Sequence, residues 1–349
     1  MKNKCFVAVS GGVDSAVAML LMKEKGFDVE GITMIPFGQE LVPSFQPKEA
    51  EDARLLCERL GVPHHLLDKS ELFRKTVIED FIKAYQNGET PNPCVVCNRF
   101  LKFGALMDYA LENGATEYAT GHYVRVKTQG DRRVIVRASD SDKDQSYVLW
   151  SLTRDQVSRF SAPLGDFSKQ EVRAIAEEKG FHVAKKGDSQ DICFIPDGDY
   201  RAFLAHIGKT NDRKGSFELS DGTKLGKHLG QSNYTIGQRK GLGIAYKEPL
   251  YVIGRDIQKN KIILGRNDEL FTTRFTVREA NFSACDFPDG DFKCEVRIRY
   301  RAPFVGAVLH PLENGVIEVE TDTPVRAVTP GQSAVFYDEE TLLGGGVIC

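Results

Sequence analysis

The 349-residue sequence contains no long apolar run and no excess of charge of either sign. It shows no secretory leader, no membrane-spanning stretch and no lipidation motif, so we expect a cytoplasmic protein without a membrane partner. Its 46 basic and 49 acidic side chains give a formal net charge of −3. That balance gives no sign of a polyanionic partner, so any contact with nucleic acid must come from local basic surfaces. The Walker pattern G-x-x-x-x-G-K-[ST] is also missing, which argues against a kinase or GTPase site.

The eight cysteines include only one Cys-x-x-Cys pair, whereas a structural zinc site needs four ligands. In a cytoplasmic chain we expect mostly reduced thiols rather than a disulfide framework. Apolar patterning around three of the cysteines predicts small core side chains at Cys5, Cys57 and Cys294. The cysteines that remain as candidates for chemistry are Cys94, Cys97 and Cys193.

A Ser-Gly-Gly turn follows the first apolar run of the chain and opens a helix with apolar residues at helical spacing. Glycines allow close backbone approach, the free N–H groups of a helix start point outward, and the helix dipole favours negative charge. The turn therefore predicts an anion cradle, the alternative being an ordinary strand-turn-helix. Its hexamer Ser-Gly-Gly-Val-Asp-Ser looks like the pyrophosphate loop of ATP pyrophosphatases. The segment consists of Ala8, Val9, Ser10, Gly11, Gly12, Val13, Asp14 and Ser15.

Changes in composition and in the pattern of helix and strand signals divide the chain into three parts. Residues 1–205 alternate strand and helix patterns, which predicts a doubly wound α/β domain with a parallel sheet and ligands beyond the carboxyl ends of its strands. Met34 and Gly121 both fall at such strand ends. Residues 206–270 are rich in glycine, lysine and turn residues and predict a small central module. Residues 271–349 show short alternating strands separated by turns, as in a small β-barrel.

Helix signals in the first part are clear enough to give approximate bounds. A capping box formed by Ser168 and Glu171 opens the last of these helices. The predicted helices after the first one span about residues 48–60, 71–85, 100–111 and 172–179.

Cys94 and Cys97 lie in a segment led by Pro-Asn-Pro, just before the predicted helix 100–111. A cysteine at a helix N-terminus, more so beside an arginine, gains thiolate character, so Cys97 is predicted to be a nucleophile. A zinc site and a redox dithiol are the alternatives for this pair. Cys193 has acidic neighbours, which raise the pKa of a thiol. Its local sequence alone therefore predicts a buried strand cysteine.

Two short basic segments are the local candidates for contact with RNA. Alternation over residues 293–301 predicts a strand whose arginines share one face about 6.6 Å apart, a spacing that suits a phosphate backbone. Such alternation also marks an ordinary solvated face. The second basic segment is a pair of residues between glycines, and it predicts either a plain turn or a phosphate contact. The residues are Arg297, Arg299 and Arg301 in the strand, and Arg239 and Lys240 in the turn.

Seven motifs, spread over nearly the whole chain, together resemble the tRNA-specific 2-thiouridylase family (MnmA and the mitochondrial TrmU) of the PP-loop ATP pyrophosphatase superfamily. They are SGGVDS, TPNPxxxCN, ATGHY, KDQSYVL, DSQDICFI, YTIGQRKGLGI and PGQSAVFY. The resemblance implies ATP contacts by residues 8–15, Met34 and Gly121. It implies that Cys97 is the nucleophile and that Cys193 carries a persulfide sulfur. The tRNA contacts it implies are Asn92, Pro93, His122, Lys143, Asp144, Gln145, Arg299, Tyr300 and Gln332.

One position departs from the family pattern, because many members carry an Asp, to which proton transfer is assigned, where this chain has Cys94. The resemblance therefore makes Cys94 a candidate acid/base group. Cys94, Cys97 and Cys193 are therefore also candidates for three ligands of a 4Fe-4S cluster whose fourth iron stays open, as in related thiolases of the superfamily. The sequence leaves the persulfide and the cluster open as alternatives.

The resemblance implies a tRNA-uridine 2-sulfurtransferase that uses ATP and Mg²⁺. We expect the loop 8–15 to hold the ATP phosphates, with Asp14 helping to position Mg²⁺, and the base to be adenylated before sulfur arrives from a partner sulfurtransferase or relay protein. This scheme requires Cys97 and Cys193 to meet at the rim of the nucleotide pocket. The alternatives are another ATP pyrophosphatase that adenylates a small substrate, and a non-enzymatic nucleotide-binding redox or metal sensor.

Overall fold

The computed structural model describes residues 3–43, 46–184, 186–187, 192–208 and 213–349. A five-stranded sheet with strand order β3-β2-β1-β4-β7 lies at the centre of the first part, and all its neighbouring strands are parallel. This confirms the predicted doubly wound α/β domain. The strands of this part are β1 (Lys4–Ala8), β2 (Asp28–Ile35), β3 (His64–Asp68), β4 (Glu117–Thr120), β5 (Val124–Gln129), β6 (Arg132–Arg137) and β7 (Phe160–Ser161).

The helices of the first part include two that contain π-helical segments, over Arg74–Ile78 and Asn98–Ala105. Each of these segments joins two α-helical pieces into one continuous helix. The α-helical bounds are α1 (Val13–Glu24), α2 (Lys48–Leu60), α3 (Ser70–Phe73), α4 (Glu79–Gln86), α5 (Pro93–Cys97), α6 (Leu106–Glu112), α7 (Arg154–Ser158), α8 (Lys169–Glu178) and α9 (Tyr200–His206).

Alternate residues of β1 pack against helices on opposite faces of the sheet, as the two-residue period of a strand requires. Cys5 and Val7 join a buried cluster with side chains of α1, α2 and α8. Phe6 joins a second cluster that includes residues of α6 and of the C-terminal part. The sheet is therefore covered on both sides.

The predicted helix boundaries are confirmed in two places and wrong in one. Helix α2 has the predicted bounds, and Ser168 and Glu171 form both hydrogen bonds of the predicted capping box at the start of α8. The helix predicted over 100–111 instead begins at Pro93 and runs without a break to Glu112. Cys94 and Cys97 thus lie within its first turns rather than in front of it.

The central module is a small sheet with strand order β10-β11-β8-β9 around a core of its own. The sheet is mixed, because β11 and β8 are parallel while the two outer pairs are antiparallel. Its strands are β8 (Gly215–Leu219), β9 (Lys224–His228), β10 (Tyr251–Asp256) and β11 (Lys261–Gly265).

The C-terminal part is a closed six-stranded β-barrel, which confirms the predicted barrel. Its strand order is β12-β15-β14-β13-β16-β17, and pairing of β12 with β17 closes it. The hairpin β5–β6 of the first part joins the same sheet where Val136 pairs with Thr341 of β17. The barrel strands are β12 (Phe271–Phe282), β13 (Phe292–Arg297), β14 (Val305–Pro311), β15 (Ile317–Arg326), β16 (Ser333–Asp338) and β17 (Thr341–Ile348).

The strand predicted over 293–301 is wrong beyond Arg297, where β13 ends and the chain turns. The Nε of Arg297 donates to the carbonyl of Ala302 at 2.8 Å, which closes the turn. Consequently the three arginines do not form a row along one strand. None of the described helices has the length and apolar character needed to cross a membrane.

Candidate active site

The carboxyl ends of β1, β2 and β4 lie side by side, and the predicted ATP-contact residues meet there. Ala8 pairs with Ile32 of β2 and with Thr120 of β4. Gly121 follows Thr120 directly and Met34 lies two positions after Ile32, so both flank the loop that leaves β1. The structure thus brings residues 8–15, Met34 and Gly121 to one edge of the sheet.

The loop between β1 and α1 is held in shape by its own serines. The hydroxyl of Ser15 accepts from the Ser10 amide at 3.1 Å and donates to the Gly12 carbonyl at 3.0 Å. Gly11 has φ +67, and a Cβ there would lie 2.2 Å from the Glu49 carbonyl oxygen. The loop therefore requires glycine at position 11, both for its backbone conformation and for its close contact with α2.

Gly121 packs directly against the first turn of α1. A Cβ at this position would lie 2.9 Å from the backbone of Asp14 and of Ser15, closer than real Cβ atoms approach. The end of β4 and the helix start that forms the cradle are consequently fixed against each other.

Asp14 lies at the helix start with both carboxylate oxygens bonded. Lys169 Nζ donates to them at 2.7 and 2.9 Å, and the Tyr123 hydroxyl donates to Oδ1 at 2.7 Å. A cation therefore already neutralises the carboxylate that the sequence assigns to Mg²⁺. The role of Asp14 in positioning Mg²⁺ stays a prediction.

The thiols of Cys94, Cys97 and Cys193 lie near one another. The first two are on α5, the third is in a turn before α9, and Cys97 shares a buried cluster with Phe194, the residue after Cys193. Cys97 is buried, whereas Cys94 and Cys193 border solvent. The meeting of residues 97 and 193 across the sequence is the arrangement that a sulfur relay requires. The expectation that Cys193 lies in a buried strand is wrong.

The protein around the thiols opposes their ionisation. Burial raises the pKa of Cys97, and the positive charge of Lys102 partly offsets this effect. Although the Cys193 side chain reaches solvent, the protein packed around its thiol, followed by the charges of Cys97 and Cys94, raises its pKa to about 12. The expectation that Cys97 has a lowered pKa is therefore wrong, because burial of the thiol raises its pKa.

The acidic neighbours of Cys193, Asp188 and Asp191, lie outside the described residues, as do Ser189 and Gln190. Among the ranges that the structure does describe, no three Cys, His, Asp or Glu side chains are arranged to hold a metal ion. The three thiols as they are arranged among the described residues do not fit an iron–sulfur cluster.

Two further side chains connect the cysteine helix to its surroundings. Asn98 is 1 % exposed, and its Nδ2 donates to the Val148 carbonyl at 3.0 Å. His122 is buried against Phe103, with Nδ1 2.7 Å from the Thr120 hydroxyl. Burial, followed by the charge of Lys102, holds the pKa of His122 well below its usual value. His122 is therefore neutral at physiological pH.

The loop 143–145 after β6 connects to the nucleotide edge through Tyr123. The Gln145 side chain accepts from the Tyr123 amide at 2.8 Å, and the hydroxyl of the same tyrosine reaches Asp14. Asp144 is 2 % exposed, and its carboxylate accepts from the Ala138 amide and the Ser146 hydroxyl. Asp144 thus shapes the loop from within, and Lys143 and Gln145 flank it.

Predicted tRNA-contact residues of the barrel take up structural contacts as well. Arg299 donates to the Ala327 carbonyl at 2.9 Å and to the Thr329 hydroxyl at 2.7 Å. Tyr300 is 37 % exposed and lies edge-on to Tyr147, which places it beside the loop 143–145.

Gln332 supports the entry to the cysteine helix. Its Nε2 donates to the carbonyls of Thr90 and Pro91 at 2.9 and 3.3 Å. Asn92 and Pro93 follow at once, as the residue before α5 and its first residue. Arg239 and Lys240, by contrast, are exposed in the central module, where Arg239 lines an open cleft with residues 241–250.

Sequence reasoning missed Lys102, Asn98, Tyr123 and Lys169. Asn98 follows Cys97 directly, so proximity in sequence was a usable signal. Lys102 is five positions after Cys97, within the π-helical segment, and the sequence gives no signal of that winding. The pairing of Lys169 with Asp14 joins residues 155 positions apart and leaves no local signal.

A parallel sheet with a glycine-containing phosphate cradle after its first central strand defines an α/β nucleotide-binding protein of the PP-loop type. Three family profiles match the chain in order: the tRNA methyl transferase HUP domain over residues 3–197, the tRNA methyl transferase PRC-barrel domain over 201–266, and the aminomethyltransferase beta-barrel domain over 272–348.

Similar proteins extend over the full chain. The tRNA-specific 2-thiouridylase MnmA of Syntrophotalea carbinolica is 45% identical, covering 99% of both chains. MnmA 1 of Clostridium botulinum is 42% identical, covering 99% of this chain and 98% of its own. The chain therefore belongs to the tRNA-specific 2-thiouridylase family of enzymes.

Among solved structures, the U34-tRNA thiolase NcsA of Methanococcus maripaludis with its 4Fe-4S cluster is 20% identical. It covers 60% of this chain and 68% of its own, with a TM-score of 0.36. That similarity is too weak to carry an argument about this protein's chemistry.

Proposed function

We propose that the protein replaces the C2 oxygen of the tRNA wobble uridine with sulfur, using ATP and a persulfide carried on Cys193. The main support is the meeting of Cys97 and Cys193 although 96 positions separate them, within a fold whose first loop forms a phosphate cradle. Family membership supports tRNA thiolation, and the arrangement of the thiols supports the persulfide route.

Activation of the base comes first in this scheme, because the C2 oxygen of uracil is a poor leaving group. The C2 oxygen attacks the α-phosphorus of ATP and pyrophosphate leaves, which gives an adenylated base. The amides of residues 10–15 and the start of α1 hold the phosphates. The base must leave its stack to reach this site, and we propose that His122, Asn92 and Pro93 border it.

Sulfur transfer follows. A partner sulfurtransferase or relay protein loads sulfur onto Cys193, giving a persulfide. The Cys97 thiolate attacks Sγ of Cys193, so a Cys97–Cys193 disulfide forms, the persulfide S–S bond breaks and its outer sulfur leaves as hydrosulfide. Hydrosulfide adds at C2 and AMP leaves. The two electrons gained by sulfur come from the two cysteines, and a thiol reductant restores them.

The proposed tRNA surface lies around this site. It combines Lys143 and Gln145 with Tyr300 and, farther away, Arg239 and Lys240 of the central module, while Asp144, Arg299 and Gln332 hold the backbone around them. We propose that the chain consists of three parts, residues 1–205, 206–270 and 271–349. The proposed tRNA surface includes residues from each of them. Local positive charge can serve such a surface although the whole protein is slightly acidic.

Cysteine variants test the sulfur relay. Cys97→Ser and Cys193→Ser should form AMP from ATP with tRNA but no thiolated tRNA, measured by retardation of thiolated tRNA in gels. Cys94→Asp should retain thiolation, because the relay uses only two cysteines. Cys349→Ser, at an exposed position far along the chain, is the matched control. Full thiolation by Cys193→Ser would rule out the persulfide.

Iron analysis separates the two sulfur routes. Protein purified without oxygen should contain no stoichiometric iron and should lack visible absorbance. Iron that binds to the wild-type protein but to none of the Cys94, Cys97 and Cys193 serine variants would contradict the persulfide proposal.

Mass spectrometry of tRNA nucleosides from a deletion strain should show the loss of 2-thiouridine. Neither of the alternatives, an ATP pyrophosphatase with a small substrate or a non-enzymatic sensor, gives that outcome.

A further inference from the structure

Lys186, in the segment between α8 and Cys193, contacts the backbone of the phosphate loop. Its Nζ donates to the Gly11 carbonyl at 3.2 Å and to Oδ2 of Asp52 on α2 at 3.1 Å. Asp52 is 8 % exposed, and its Oδ1 lies 3.3 Å from Nε2 of His182. The ammonium group is therefore held between a buried carboxylate and the loop, although the proposed reaction gives it no role.

The bond from Lys186 fixes the direction of the peptide group that joins Gly11 to Gly12. A trans peptide group is planar, so its carbonyl and its N–H point in opposite directions. Because the Gly11 carbonyl points to the ammonium group, the Gly12 N–H points away from it. Within the part of the chain that the structure describes, this N–H has no acceptor. An unpaired amide at a helix start is the group that binds a phosphate oxygen.

The Gly11–Gly12 peptide depends on this contact because its neighbours do not hold it. Glycine has more backbone freedom than other residues, so two glycines in succession can reorient easily. The carbonyl of Gly12 is held by the Ser15 hydroxyl at 3.0 Å and the Ala16 amide at 3.2 Å. For the carbonyl of Gly11, Lys186 is the donor among the described residues.

We propose that Lys186 is a positioning residue for the phosphates of ATP: its ammonium group holds the Gly11–Gly12 peptide so that the Gly12 N–H points into the cradle. A cation bonded to the carbonyl also polarises the peptide group, which strengthens its N–H as a donor. The buried Asp52 keeps the ammonium group at this position. The proposal rests on the proposed function only in naming ATP as the phosphate compound, since the contact exists in the free protein.

The direct test is calorimetric titration with inorganic pyrophosphate and, separately, with adenosine. In Lys186→Met the affinity for pyrophosphate should fall about tenfold, while the affinity for adenosine, which has no phosphate, stays within about twofold. Lys186→Arg should stay within about threefold of wild type, because it keeps a charged donor. Lys23→Met is the matched control, since Lys23 also donates to a backbone carbonyl, that of Leu60, but from the opposite end of α1.

Thiolation kinetics provide the second measurement. Lys186→Met should raise KM for ATP about tenfold, whereas kcat should stay within about threefold, because the lost contact acts on binding of the phosphates. Circular dichroism confirms folding, and Lys186→Gln replaces Lys186→Met if the apolar side chain prevents it.

Two results would overturn the proposal. One is a pyrophosphate affinity within about twofold of wild type in a folded neutral variant, and the other is an equal loss for adenosine and pyrophosphate, which a merely structural role predicts. Absence of thiolated tRNA from wild-type reactions would instead overturn the proposed function and leave the pyrophosphate result standing.

Discussion

At the scale of single residues, His122 shows how burial decides protonation at this site. Its ring packs against Phe103 and bonds to the Thr120 hydroxyl. Burial and the nearby Lys102 charge keep its pKa well below the usual value. A neutral imidazole can donate a hydrogen bond to a base or accept one from it, but it cannot supply a positive charge to RNA.

This protonation state predicts a pH dependence of stability. The unfolded chain binds a proton at His122 below about pH 6.5, whereas the folded protein does not, so stability from this residue is complete above that pH and is lost as pH falls further. His122→Gln cannot take up the proton. Urea unfolding at pH 7.5 and 5.5 should show a smaller loss of stability on acidification for His122→Gln than for wild type. Equal losses would contradict the buried neutral imidazole.

The thiols mark the limit of sequence reasoning at this scale. The Pro-Asn-Pro lead and the nearby helix singled out the segment that contains Cys97, whose catalytic role stays a prediction. The predicted direction of its pKa shift was wrong, because the helix dipole is a local feature whereas burial depends on side chains from distant segments, such as Phe194 and Leu204 in the same core cluster. The nearness of Cys193 is a property of the fold and cannot be predicted from spacing.

At the scale of elements, the contact between the end of β4 and the start of α1 determines the shape of the phosphate cradle. Gly121 allows the two backbones to touch. Gly121→Ala should force α1 away from β4, so affinity for a non-hydrolysable ATP analogue should fall at least about tenfold, with a loss of about 1–3 kcal/mol in stability typical of overpacking.

Calorimetric titration measures that affinity, and urea unfolding measures the stability. Gly290→Ala in a barrel turn is the matched control, because its added Cβ meets no atom within 4 Å. Wild-type affinity in Gly121→Ala would show that α1 does not need this contact.

Element prediction succeeded where local signals act alone and failed where tertiary contacts decide. The bounds of α2 follow from its apolar spacing and from Gly61, which ends it in a left-handed conformation. Alternation over 293–301 looked like a strand throughout, but Arg299 bonds to the distant Ala327 and Thr329, which bends the chain out of the sheet. Neither π-helical segment has a local signal in composition or spacing.

At the scale of the whole molecule, the barrel and the α/β part are joined by buried polar contacts. The single tryptophan, Trp150, is 2 % exposed and donates to the Ser333 hydroxyl at 2.9 Å. Asn281 of the barrel donates to the carbonyls of Trp150 and Leu152. Tyr147 and Tyr337 lie in the same core cluster as β1. The two parts thus share a hydrophobic core.

A shared core predicts unfolding as one unit. Fluorescence of Trp150, which reports on the junction, and far-ultraviolet circular dichroism, which reports on all elements, should give the same urea midpoint. Ser333→Ala should lower both midpoints together, by about 1–2 kcal/mol in stability, because it leaves the buried indole N–H without its partner. A fluorescence transition that precedes the dichroism transition would show instead that the barrel undocks first.

The three-part order of the chain was predictable, because each part has its own texture of helix and strand signals. The assignment of β5 and β6 to the barrel sheet was not. Their sequence lies within the α/β part, and their single paired position with β17 joins segments far apart in the chain. Short hairpins carry no local information about which sheet they will extend.

The pairing of the hairpin β5–β6 with β17 has a consequence for synthesis, because the chain is made from its N-terminus to its C-terminus. Gln129 of β5 and Thr341 of β17 bond to each other although 212 positions separate them. During synthesis β6 leaves the ribosome long before its partner strand β17 has been made. An unpaired strand edge can pair with other chains. Until β17 has been made, the edge of β6 at Val136 therefore lacks its partner strand.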